Sequence, residues 1–285
     1  MEKRKYISGD EWLYLKVYSG DQMLEKILSN IIVNVGDHLM NNNLMDKWFY
    51  IRYRDMYGSH LRLRYHSLEE SNLSLIQKIL TDSFCNMINS KEIAGITFDT
   101  YSREYERYGE SIYSIIETIF YVDSSAVLAL LSFISRIEDK ENRRWQIALL
   151  LIDDLLDAYN MDLENKLDVI GHVRDSFRNE MGFISLSYIH QLNDKYRKFK
   201  TLVQQAMKRD LPHDMVDILK KRKENLIEII SCLNRRDKKL LDNSLGSIMH
   251  MSMNRLFVSS NRLCEMIIYD FLYRVYRSQI AQKNN

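Results

Sequence analysis

Apolar and polar positions alternate along Trp12-Leu13-Tyr14-Leu15-Lys16-Val17-Tyr18, and a period of two predicts a strand. Ser19 or Asp21 can cap the helix that follows, where Met23, Leu24, Ile27, Leu28, Ile31, Ile32 and Val35 recur at helical spacing. Asn41-Asn42-Asn43 marks its exit. Two further alternating runs, Trp48 to Arg54 and His60 to His66, read as paired strands. Phe49, Ile51 and Tyr53 share one face of the first, and Leu61, Leu63 and Tyr65 share one face of the second. Arg52 and Arg54 take the opposite face, as do His60, Arg62, Arg64 and His66. The connector Asp55-Met56-Tyr57-Gly58-Ser59 has hairpin-loop chemistry. Pairing these strands predicts up to four guanidiniums on one sheet face, an arrangement that calls for acidic partners from the chain or from a ligand.

A second helix, with Leu73, Ile76, Leu80, Phe84 and Met87 in register, and a strand from Ile96 to Tyr101 complete the first part. The order over residues 11–102 is β-α-β-β-α-β, the ferredoxin-like arrangement. In that arrangement both helices cover one sheet face, formed here by Leu13, Leu15, Val17, Phe49, Ile51, Leu61, Leu63, Ile96 and Phe98. The other face displays Tyr14, Lys16, Tyr18, Arg52, Arg62, Arg64, Thr97, Asp99 and Tyr101, which suits a cover of further protein with a ligand cleft beneath it. Residues 103–285 read as mainly helical, with helices expected over 111–121, 124–137, 142–160, 185–209, 213–233 and 245–277. Pro212 fits a helix start. The charged stretch 215–240 reads as a solvated helix face and a loop. The fold class is therefore α+β: a ferredoxin-like half with a helical C-terminal half packed on its open sheet face, in a single domain over 1–285.

Composition narrows the function classes. A net charge of +1 over 285 residues provides no general field for nucleic acid, so no direct nucleic-acid binding is expected. Cys85, Cys232 and Cys264 are odd in number and widely spaced, which argues against disulfides and a zinc site and for a cytoplasmic setting. The segment Met1 to Tyr6 is charged without a following apolar run, so it is not a signal peptide, and no stretch approaches a membrane span. One proline and nine glycines suit long helices. Asp153, Asp154 and Asp157 raise the question of a metal, but Asp153 and Asp157 share a helix face without a histidine or third ligand. A solvated face or an arginine partner is expected there, and no metal.

Three segments carry candidate chemistry: the arginine hairpin, Tyr101-Ser102-Arg103-Glu104-Tyr105-Glu106-Arg107-Tyr108-Gly109, and Met249-His250-Met251-Ser252-Met253-Asn254-Arg255. Together they resemble the C-terminal domain of class I lanthipeptide dehydratases, a family shared with thiopeptide-type bacteriocin biosynthesis proteins. The resemblance rests on an aromatic-Phe-Ile-Arg-Tyr strand at Trp48 to Tyr53 and a His-Leu-Arg-Leu-Arg strand at His60 to Arg64. It also rests on a Glu-x-x-Arg-Tyr-Gly segment at Glu104 to Gly109 and His-Met-x-x-Asn-Arg at His250 to Arg255. Glu110 departs from the family's second glycine.

The resemblance implies maturation of a ribosomally made peptide antibiotic by a stand-alone member without a glutamylation domain. Two reactions are then open. One eliminates glutamate from glutamylated Ser or Thr to leave dehydroamino acids. The other is the thiopeptide pyridine synthase reaction, a formal [4+2] aza-cycloaddition of two dehydroalanines that closes a macrocycle and releases the leader. A non-catalytic precursor-binding partner of a dehydratase is a third reading. The family's elimination residues carry over to His250, Arg64 (or Arg62) and Arg107 as catalytic candidates. Substrate contacts are expected from Arg62, Arg52, Tyr14, Tyr101, Arg103, Asn254 and Arg255. Guanidiniums suit a carboxylate leaving group and an enolate-like charge, and imidazole suits proton transfer near neutral pH. A structural reading also exists for Arg52, as the partner of Asp99 or Glu104. No cofactor is implied. The implied partners are a leader-bearing precursor peptide and a separate glutamyl-tRNA-dependent glutamylation protein. A homodimer is left open and no membrane is expected.

Overall fold

A tight hairpin organises the N-terminal part of the chain. In the computed structural model, which describes residues 3–182 and 185–283, strand β3 (Lys47–Asp55) turns into β4 (Gly58–His66) through Met56-Tyr57 alone. Gly58 takes φ +121°, a conformation that favours glycine, and the Tyr57 N–H donates to Asp55 Oδ1 at 2.9 Å. Met1 and Glu2 of the charged N-terminal segment lie outside the described residues.

The chain divides into two compact units. The first comprises Met1–Ser135 and Cys232–Ser259. Its main sheet has the order β3-β4-β2-β5, antiparallel throughout, with β2 at Trp12–Tyr18 and β5 at Gly95–Phe98. Strands β1 (Lys5–Tyr6) and β6 (Tyr101–Ser102) pair separately. Between β2 and β3 run α1 (Asp21–Ile27), a π-helical segment (Leu28–Ile32) and α2 (Val33–Asn41). Helix α3 (Glu70–Asn89) joins β4 to β5. Helix α2 sits close on the sheet, where a Cβ at Gly36 would lie 3.4 Å from the Trp48 ring. The unit is completed by α4 (Tyr105–Tyr108), α5 (Tyr113–Ile134) and α10 (Arg235–Leu256).

The loop length overturns the expected faces. Arg52 stands opposite Leu61, Ile51 opposite Arg62 and Phe49 opposite Arg64. Phe49 and Ile51 therefore share the arginine face, while Trp48, Tyr50 and Arg52 join Leu13, Leu15, Val17, Leu61 and Leu63. The four guanidiniums split into two pairs, with Arg62 and Arg64 on one face and Arg52 and Arg54 on the other. A two-residue loop opposes residues of unlike parity, and a one-residue slip moves every side chain to the other face.

Side chains cover the outer edge of β3. The Tyr50 N–H donates to Ser124 Oγ (3.3 Å), and Arg255 Nε donates to the Tyr50 carbonyl (3.0 Å). Asn254 accepts from the Arg52 N–H and donates to the Arg52 carbonyl, both at 2.9 Å. An edge strand that would template further pairing is thereby satisfied from α5 and α10.

The second unit comprises Arg136–Ser231 and Ser260–Asn285, described as α6 (Lys140–Ala158), α7 (Leu163–Glu180), α8 (Leu186–Met207), α9 (His213–Ser231) and α11 (Asn261–Lys283). Helix α6 is its centre, packed by α8, α9 and α11, with α7 along α11. Asp153, Asp154 and Asp157 lie together here, but cations occupy their oxygens. Asp153 Oδ1 accepts from Lys166 Nζ (2.7 Å) and the Tyr276 hydroxyl (2.8 Å). Asp154 is held by Arg209, and Asp157 by Lys166 and Lys223. The cluster is an internal ion-pair network with lysine as well as arginine partners.

Several expected helix boundaries change. The helices expected at 111–121 and 124–137 are one helix, α5. Residues 163–180 form a helix that the sequence reading left out. The expected helix 245–277 is broken between Leu256 and Asn261, where Ser260 takes φ +52°. By length and composition α5 could cross a membrane, contrary to the expectation that no stretch approaches a span, yet 61% of its apolar window is buried inside the protein.

Candidate functional site

A cavity of about 300 Å³ opens on the arginine face of β3–β4 within the first unit. Phe49, Ile51, Arg52, Tyr53, Arg62 and Arg64 line its sheet side, Arg52 from a strand position whose side chain is held on the other face. The segment from β6 through α4 contributes Tyr101, Ser102, Glu104, Arg107 and Tyr108. Helix α5 adds Tyr113 and Phe120, and α10 adds His250, Met251 and Asn254. Three segments far apart in sequence thus meet at one concave surface.

Arg64 is the most unusual group there. It is only 8% exposed, yet no carboxylate lies within ion-pair reach among the described residues, and its buried Nε has no hydrogen-bond partner among them. Aromatic rings surround it: its guanidinium carbon lies 4.5 Å from the Tyr14 ring centre, 5.0 Å from Tyr101 and 5.1 Å from Phe49. Ring faces stabilise a cation without supplying a formal charge. Arg62 is mounted similarly, 3.5 Å above the Tyr53 ring, and its Nε donates to His60 Nε2 at 3.3 Å. Arg107 is exposed and lies 3.5 Å from Glu104. Gly109 ends α4 at φ +84°, which accounts for glycine after Arg107-Tyr108. Glu110 is not among the described residues with positive φ, so a side chain costs nothing at that position.

The other candidates sit around this cavity or behind it. Tyr14 backs Arg64. Arg52 lies on the far face and donates to Glu25 and to the Arg255 carbonyl (3.0 Å), so its partners are neither Asp99 nor Glu104. Asp99 instead pairs with Lys16 at 2.6 Å, a contact that lowers its carboxyl pKa. Arg255 is fully buried and donates to Asp123 at 2.8 Å. Arg103 is buried against Glu117, and Asn254 reaches both the cavity and the β3 edge. Phe49, expected in the helix-facing core, lines the cavity, as do Tyr113 and Phe120, which no motif in the sequence marks. Glu104 was visible in the Glu-x-x-Arg-Tyr segment, but the helix α5 residues carried no motif.

His60 has a pH-dependent consequence. Its ring is buried, with Nδ1 3.2 Å from the Gly58 carbonyl and Nε2 accepting from Arg62. Burial pushes its pKa down. Below about pH 6.5 the unfolded chain takes up this proton before the folded chain does, so stability falls with pH. The urea midpoint is expected to drop as pH falls below about 6.5, and His60→Gln to remove part of that drop. Equal slopes in the two proteins would reject the assignment.

Comparisons relate the chain and its fold to known proteins. The family model for lantibiotic biosynthesis dehydratase C-termini matches residues 12–276. The subtilin biosynthesis protein SpaB of Bacillus subtilis is 24% identical over 96% of the chain and 26% of its own length. The nisin biosynthesis protein NisB of Lactococcus lactis is 27% identical over 99% of the chain and 27% of its own length. The chain therefore spans about a quarter of these curated relatives. Among solved structures, the tRNA-dependent lantibiotic dehydratase MibB from Microbispora superposes with a TM-score of 0.74 at 20% identity, over 98% of this chain and 29% of MibB. TbtD, the pyridine synthase from thiomuracin biosynthesis, superposes at 0.59 with 12% identity, over 94% of this chain and 99% of TbtD. With the family model covering nearly all of its length, the chain belongs to the lantibiotic biosynthesis dehydratase C-terminal family.

Proposed function

We propose that this protein eliminates glutamate from glutamylated Ser or Thr residues of a ribosomally made precursor peptide, leaving dehydroamino acids. The observation that carries this reading is Arg64, a buried guanidinium in a cavity with aromatic support and no carboxylate partner among the described residues. A desolvated cation of this kind favours a carboxylate ligand, and the departing glutamate is one. His250 removes the Cα proton, the Cβ–O bond to the glutamyl group breaks, and the electron pair forms the Cα=Cβ bond. Arg62 and Arg107 face the enolate-like charge of the peptide carbonyl, and Asn254 and the tyrosines position the chain. The strand order and intervening helices support a ferredoxin-like reading of the sheet half. The reading needs no cofactor or metal. It implies a glutamylated, leader-bearing peptide as the substrate, met in the cytoplasm.

Fold likeness to TbtD supports pyridine-forming cycloaddition as the second reading. Mass spectrometry separates the two. One synthetic peptide carries a glutamyl ester on Ser, and another carries two dehydroalanines in a thiazole-rich core behind a leader. Loss of glutamate from the first is the expected result. Loss of water and leader from the second, with the first untouched, would establish the synthase. Binding of both without any change in mass would leave a recruitment role.

A further inference from the structure

One buried carboxylate connects two walls of the cavity. Glu117 on α5 is fully buried on a helix whose buried face is mainly apolar, with Ile116, Ile119 and Phe120 as its buried sequence neighbours. It accepts from the Tyr101 hydroxyl at 2.8 Å and from Arg103 twice, at 2.8 Å from Nε and 2.6 Å from Nη2. The Tyr101 ring is one of the three that bracket Arg64. Arg103 directly follows β6, and its Nη1 also donates to the Lys3 carbonyl at 3.3 Å. The next residues, Glu104 and Arg107, enter the cavity.

We infer that Glu117 is a positioning residue: it fixes the Tyr101 ring against Arg64 and anchors the segment that delivers Arg107, without touching substrate itself. This rests on the elimination reading above. An apolar residue would suit the core face of α5, and a buried ion pair is weak as a source of net stability. What the carboxylate uniquely does is bind a phenol and a guanidinium together, and so set the orientation of both. Burial holds the Tyr101 hydroxyl pKa well above its ordinary value, so it remains a donor to Glu117 at neutral pH.

Glu117→Gln tests this. The amide keeps the length but turns an N–H₂ donor toward donors, so it satisfies fewer of the three bonds. The probes are glutarate, a five-carbon dicarboxylate standing in for the leaving glutamate, and the glutamyl-Ser peptide. In a variant still folded by circular dichroism, glutarate Kd is expected to rise, and kcat for elimination to fall, by about 10- to 100-fold, with KM for the peptide nearly unchanged. Tyr101→Phe keeps the ring and loses only the anchor; it is expected to shift both quantities the same way by less, and serves if Glu117→Gln does not fold. The Arg64 Nε–H proton resonance, assigned with Arg64→Lys and shielded by the ring faces, is expected to move in both variants. An unmoved resonance with unchanged affinity in the folded variants would overturn the inference even if the wild type eliminates glutamate. A moved resonance in a protein that neither binds glutarate nor eliminates would uphold the positioning role and defeat the elimination reading instead.

Discussion

Arg64→Met is expected to stabilise the protein and to slow the proposed elimination by about 10²–10³-fold. The two effects have one cause. Arg64 places a full charge at a site that is 8% exposed, with aromatic rings around it and no counter-charge among the described residues. Desolvation of that charge costs stability, and the ring faces return only part of it. Methionine has similar reach, fills the space between the rings and carries no charge. A gain of about 1–2 kcal/mol is expected, a rise in Tm of about 2–6 °C. Catalysis should move the other way. A guanidinium fork aimed at the departing carboxylate acts where charge develops, and removing one such donor costs about 10²–10³ in kcat. Arg64→Lys should also be impaired, because a point charge neither forks nor stacks. Thermal melts and peptide turnover on the same samples check both signs. A destabilised Arg64→Met variant would mean that the guanidinium has a structural partner. An active one would remove Arg64 from the site.

Asp123→Ala should have the largest effect on stability. Asp123 is buried on α5 and accepts from Arg255 Nη1 at 2.8 Å, while Arg255 itself is fully buried. Burial alone pulls the Arg255 pKa down, and Asp123 is the main charge opposing that shift. Removing the carboxylate strands the guanidinium in the core, which costs about 3–5 kcal/mol. The loss should spread to the β3 edge, because Arg255 Nε serves the Tyr50 carbonyl and the Arg255 carbonyl receives Arg52 Nε, both at 3.0 Å. Urea unfolding measures the loss. A change below about 1 kcal/mol would show that another group compensates the charge. The double variant Asp123→Ala/Arg255→Met should recover much of the stability, because an apolar pair leaves no buried charge. This contrast separates Arg255, which belongs to the core, from Arg62 and Arg64, which face the cavity.

The hairpin shows how much was legible in advance. Both strands and the order of elements around them follow from alternation in the sequence, which one-sided burial enforces. The phase of β3 does not follow, because Trp48, Phe49, Tyr50 and Ile51 are apolar on both faces. The break before α11 was equally hidden: Phe257 continues the apolar pattern in sequence, yet its backbone is extended at φ −89°, ψ 136°, and Ser260 follows at φ +52°. The motif residues Arg64, Arg107 and His250 were visible as candidates. Their common cavity was not, since they lie on a strand, a short helix and a late helix.

The sequence by itself determined the β2, β3 and β4 strands and the helices between them, the local charge balance and the family, because periodicity and short motifs are properties of neighbouring residues; the expected strand Ile96–Tyr101 instead divides into β5 and β6, and β6 pairs with β1. Only the tertiary structure decided which arginines remain without a carboxylate. Arg52, Arg103 and Arg255 look no different from Arg62 and Arg64 along the chain, yet Glu25, Glu117 and Asp123 reach the first three and no described carboxylate reaches the last two. Pairing depends on loop parity and on helices 14, 27 and 132 residues away for Arg103, Arg52 and Arg255, and no local pattern encodes which helix arrives.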